Sequence, residues 1–175
     1  PPPRSTLFPY TTLFRSSSIF PSIVASKNNS ELFRKKMNNL YSILIIFSYM
    51  VIFFMIIFSG FIINYLYGSS FIEAKIPLMI LIWNLLFVSL GVARNAYILT
   101  LNLNKYYMHT TIIGAIINLT CNSILIPIYG IIGAAISTLF SYFISAYITS
   151  FLFKPLRSEF YAASKSLIFP KIKFN

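Results

Sequence analysis

The chain has 175 residues, of which 57% are hydrophobic and only 10% charged. A soluble domain carries about a quarter charged residues, so this composition excludes an ordinary soluble fold and marks a membrane protein. The net charge of +11 does not indicate nucleic acid, because the cations lie between apolar runs and form no polar face; basic segments flanking membrane helices set orientation and meet anionic lipid.

The N-terminal residues stand apart from the rest. Thr6 to Ser16, TLFPYTTLFRS, resembles a translated sequencing-library adapter, and residues 1–16 are therefore set aside from fold and function. The genuine chain is expected to start near Ser17, in mid-protein, with an N-terminal lobe of the same protein missing. Ser17 to Val24 reads as the end of a preceding membrane helix that Pro21 stops or kinks. Residues 25–38 form a basic cytoplasmic loop with Lys27, Arg34, Lys35 and Lys36 against Glu31, and Ser30-Glu31 can open a short amphipathic helix.

Four spans follow within a membrane domain of residues 39–153. A helix needs roughly 20 apolar residues to cross the hydrocarbon core, and the first span, about 40–63, contains no charge. Asn64-Tyr65-Leu66-Tyr67-Gly68 closes it, with tyrosines at interface depth and a glycine to turn. The second span, about 76–100, opens with Pro77 in a first-turn position. Asn84, Gly91, Asn95 and Asn102 fall on one stripe of that helix, with Arg94 on its flank.

The third span, about 107–126, carries Tyr107, Thr111, Gly114, Asn118 and Asn122 at intervals of three and four. Pro127 ends it, Tyr129-Gly130 turns, and the fourth span, about 131–153, restarts at once on small residues. Its Gly133, Ser137, Ser141, Ser145 and Thr149 recur every four residues, a seam of small side chains suited to close helix packing in lipid. Residues 154–175 form a basic tail with an interfacial helix around 158–169 before Pro170. Basic segments at 25–38, 101–106 and the tail, against nearly neutral loops elsewhere, place both ends of the chain in the cytoplasm. The expected fold is an all-α polytopic membrane bundle of four transmembrane helices.

The hairpin string Asn118-x3-Asn122-x2-Leu125-Ile126-Pro127-x-Tyr129-Gly130-x2-Gly133-Ala134-Ala135-x2-Thr138 resembles a signature of polysaccharide export proteins. These are the O-antigen (Wzx-type) flippases of the multidrug/oligosaccharidyl-lipid/polysaccharide exporter superfamily. A looser likeness runs from Phe20-Pro21-Ser22 to about Phe153. The resemblance implies a transporter of 12 to 14 helices in two lobes that opens alternately to each side of the bacterial inner membrane. Its substrate would be an O-antigen or capsule oligosaccharide on undecaprenyl pyrophosphate, moved from the cytoplasmic to the periplasmic leaflet. The present chain would be the last four spans of the second lobe.

The residues themselves show no catalytic constellation and no metal-ligand cluster, so neither an enzyme nor a cofactor is expected. Cys121 is the sole cysteine and cannot form an internal disulfide. His109 reads as an interfacial side chain. Arg94 has two readings: a cation lining a path for an anionic lipid-linked substrate, or an arginine reaching to the cytoplasmic interface, about 27 Å along its helix. Asn84, Asn95, Asn118 and Asn122 are candidate substrate contacts, although for Asn118 and Asn122 the commoner role is glue between helices. Rival classes are an integral-membrane polymerase or polyprenyl-phosphate transferase, and a drug or peptidoglycan-precursor exporter. The short, acid-poor outer loops speak against the enzymes, and the acid-free spans speak against a cationic-drug pump.

Overall fold

The computed structural model describes residues 19–171, so the adapter-like residues 1–16 and the cation Lys173 lie outside the described residues. Among the described residues every regular element is a helix. In chain order they are α1 (Ile19–Ala25), α2 (Ser30–Tyr67), a 3-10 turn (Ser69–Ala74), α3 (Lys75–Ile82), α4 (Asn84–Thr100) and α5 (Asn104–Tyr142). A π-helical segment (Phe143–Ile148), α6 (Thr149–Leu152), a second 3-10 turn (Lys154–Leu156) and α7 (Arg157–Ile168) complete the chain.

The expected basic loop 25–38 is mostly helix. Asn29 caps α2 by accepting the Leu32 N–H at 3.0 Å, and Glu31 sits in the first turn, where the helix dipole favours an anion. With this cap the helix starts at Ser30 and runs without a break into the first apolar run. At 1.5 Å per residue its 38 residues reach about 57 Å, nearly twice the thickness of a hydrocarbon core. Gly68, with φ of 86°, ends it.

The second apolar run is interrupted at Trp83, where the Leu86 N–H bonds the Trp83 carbonyl three residues back at 3.2 Å. Its far end is a Schellman motif: the Leu103 N–H bonds the Ile98 carbonyl at 2.9 Å, and the Asn102 N–H bonds Leu99 at 3.3 Å. Asn102 therefore leaves the polar stripe on which the sequence places it. It is the left-handed residue of this cap, with φ of 57°, a conformation asparagine tolerates better than most side chains.

From Asn104 to Leu152 the chain is one apolar helical run of 49 residues, about 73 Å if straight. It is not straight. Helical bonding passes through Pro127, which stays inside the helix, and the break falls three residues later at Gly130, with φ of 56° and ψ of −131°. The second arm folds back on the first, and a Cβ on Gly133 would stand 2.2 Å from the Leu125 carbonyl oxygen. Farther along, Ser145 Oγ donates to the Thr110 carbonyl at 2.9 Å. Three helices of membrane-spanning length and composition thus yield four rods. This is an all-α membrane helix bundle.

The rods pack α2 on α4, α3 on the α5 hairpin, and α4 on both the hairpin and the π segment. Between α2 and α4, Ser48 and Ser89 share a hydrogen bond of 2.6 Å. The apolar core gathers at one end, where Ile23, Phe33, Met37, Tyr41, Ile45, Leu90, Ala93 and Ala163 bury one another. The expected interfacial helix is α7, docked onto α2 with its Ala163 and Ser166 inward and Arg157, Tyr161 and Lys165 outward.

Candidate functional site

A cavity of about 520 Å³ lies between α4 and the two arms of the hairpin. Small residues open it: Gly91 on α4, Gly114 on the first arm, and Ser141 and Ser145 on the second side. Of the seam read from the sequence, Ser141 and Ser145 line this wall, while Gly133, Ser137 and Thr149 are buried outside it.

Arg94 forms the polar centre of the wall. The residue is 4% exposed, and its guanidinium points into the bundle instead of reaching to the interface. One terminal nitrogen donates to the Ser145 carbonyl and, at 3.0 Å, to Thr149 Oγ1. The other donates to Thr110 Oγ1 at 3.3 Å. Nε has no partner. A buried guanidinium ordinarily pairs with a carboxylate, because its desolvation is costly without one. The chain has only three acidic residues, Glu31, Glu73 and Glu159, and among the described residues none pairs with Arg94.

The π segment explains how one carbonyl becomes available to Arg94. Within it the Thr149 N–H bonds Ile144 five residues back, which widens the turn and loosens the ordinary ladder. The Ser145 carbonyl then accepts from Arg94 and also from Thr149 Oγ1, the latter at 2.6 Å. Arg94 therefore ties α4 to the first arm through Thr110 and to the π segment through Ser145.

The amides divide. Asn95 and Asn118 line the cavity with Arg94, and Asn95 Oδ1 is buried without a partner. Asn122 lies outside the lining and donates from Nδ2 to Asn118 Oδ1 at 3.0 Å, which fixes how Asn118 presents its own N–H groups. Asn84 is half-buried away from the cavity, its Oδ1 unpartnered. Asn102 is exposed in the loop. His109 is also exposed and stacks on Phe153, with ring centroids 6.2 Å apart. Thr110 and Thr149 as Arg94 acceptors were not singled out from the sequence; Thr110 precedes Gly114 by four residues and so shares its face, which was the available signal. Among the described residues no group of His, Cys, Asp and Glu could hold a metal ion.

The chain is similar to a glycan flippase. Over 144 residues it is 28% identical to the probable low-salt glycan biosynthesis flippase Agl15 of Haloferax volcanii, a match covering 78% of this chain. The chain spans about a third of that relative's length, the aligned part being 30% of it. No family model matches, and no solved structure matches.

Proposed function

We propose that this chain is part of a membrane flippase for lipid-linked glycans, and that Arg94 receives the anionic carrier headgroup. The observation that carries this reading is a buried guanidinium with neutral acceptors only, a free Nε and a cavity in front of it. Such a group is short of one negative charge, and a phosphate supplies it with the geometry arginine prefers. Asn95 and the Asn122-braced Asn118 stand beside it as partners for sugar hydroxyls. The similarity to a glycan flippase supports the same substrate class.

The finer substrate follows from the hairpin signature: an O-antigen or capsule repeat on undecaprenyl pyrophosphate, carried from the cytoplasmic to the periplasmic leaflet with both ends of the chain cytoplasmic. About 520 Å³ is within the range of small-molecule sites. That space suits a pyrophosphate and its first sugar, and the rest of an oligosaccharide would need the surface of the remaining lobe. Alternating access moves the site between leaflets while the polar substrate stays out of hydrocarbon.

The test is Arg94→Ala in the complete protein, with surface glycan and the amount of protein in the membrane both measured. Surface glycan should be lost while the membrane-inserted protein persists, and Arg94→Lys should restore only part of it, because an ammonium keeps the charge but lacks the fork. Undiminished glycan in Arg94→Ala would reduce Arg94 to a helix tie.

A further inference from the structure

Glu159 of α7 sits in the seam between α7 and α2, outside the membrane-spanning helices and outside the lining of the Arg94 cavity. It is 5% exposed. The Tyr41 hydroxyl of α2, 1% exposed, acts on its carboxyl, whose Oε2 has no hydrogen-bond partner. Tyr41 itself belongs to the apolar cluster with Ile23, Met37 and Ala163. An acid folded into such a place is incompletely solvated when ionised.

We infer that Glu159 and Tyr41 form a proton-binding site in this seam, and that its proton holds the C-terminal helix α7 against α2. The inference is independent of the glycan substrate. Desolvation raises the carboxyl to about 7, against lowering influences from the Tyr41 hydrogen bond and from Arg34. Tyr41 and Arg34 of α2 act on the carboxyl, Tyr41 in turn feels the charge of Arg94 and the phenol of Tyr97 on α4, and Tyr49 of α2 and Tyr147 of the π segment reach α7 close by. Tyr49 donates to the Leu167 carbonyl at 3.0 Å, Tyr147 shares a 2.8 Å hydrogen bond with Ser164, and Ser158 donates to Tyr97 Oη at 3.4 Å. These phenols secure α7 at several points, and of the whole set only Tyr41 and Arg34 act on the carboxyl itself.

The sign follows from linkage. The docked carboxyl holds its proton up to about pH 7, whereas a released one ionises near the ordinary value of 4.5. Docking is therefore tightest below the ordinary value, weakens as pH rises to about 7, and is level above that. Each unit of difference is a factor of ten, so the opening equilibrium of α7 changes on the order of a hundredfold across this window.

The experiment uses the complete protein in nanodiscs, with two readouts. Infrared difference spectroscopy follows the protonated-carboxyl C=O band, and amide exchange corrected for intrinsic rate follows protection of residues 157–168. A band that titrates near neutrality and vanishes in Glu159→Gln, together with tail protection that falls with pH in the wild type and stays level in that variant, is the expected result. Tyr41→Phe keeps the ring and removes the hydroxyl, so the band's midpoint should move to higher pH; this variant serves if Glu159→Gln does not fold. A wild-type protein with no carboxyl titrating near neutrality, or tail protection with the same pH profile in Glu159→Gln, overturns the proton site. A midpoint unmoved in Tyr41→Phe overturns it too.

Discussion

At the scale of single residues, Gly130 and Arg94 carry the largest consequences. Gly130 has a backbone conformation reserved almost wholly for glycine, yet a Cβ placed there would meet nothing within 4 Å. The cost of Gly130→Ala is therefore backbone strain alone, about 1–3 kcal/mol. Thermal unfolding of the purified protein should show that loss with helix content unchanged. The sequence marked the turn at Tyr129-Gly130 but assigned the stop to Pro127. Proline's missing N–H removes one bond, and an apolar helix in lipid tolerates that where its neighbours re-satisfy the carbonyl. Arg94 was legible as a costly charge in an apolar run. Which way its side chain turned was not, since that depends on Thr110, Ser145 and Thr149, sixteen to fifty-five residues away.

At the scale of elements, the hairpin of α5 is held by backbone contact. The 2.2 Å approach of a Gly133 Cβ to the Leu125 carbonyl leaves no room for a methyl group, and the obstructing atom belongs to the main chain. Gly133→Ala should consequently cost more than Gly130→Ala, about 3 kcal/mol or above. Accelerated proteolysis at the hairpin, or loss of the folded protein from the membrane, would show it. The four-residue seam on the second arm has a further meaning. On a helix of 3.6 residues per turn, positions four apart slip by about 40° at each step, so a long run of them wraps away from its neighbour. The wider turn of Phe143–Ile148 takes up that slip and keeps Ser145 and Thr149 facing Arg94. The period itself was visible in the sequence, as a seam for close packing. The cap at Asn102 was equally visible, as asparagine two residues past an apolar helix, but the stripe on the helix drew it into the wrong set.

At the scale of the whole molecule, composition alone was enough for the membrane class, because few charges and long apolar runs admit little else. The helix count was harder: α5 and the π segment form one continuous hydrogen-bonded run, and only the break at Gly130 makes it two rods. The clustering of the apolar core at one end was not legible, since it joins α1, α2, α4 and α7 from opposite ends of the chain. On the proposed placement of the first span at 40–63, the opening turns of α2 stand clear of lipid. Phe33 and Met37 on those turns, with Ile23 and Ala163 against them, then form a small water-facing globule attached to a membrane bundle. The globule is held by expulsion of water, whereas the rods beneath it are held by packing against each other in a medium as oily as themselves. Urea weakens the first of these forces and hardly reaches the second. In moderate urea this water-facing globule should melt while the spans remain inserted, as fluorescence of a probe on Tyr161→Cys and on Phe54→Cys would separately report.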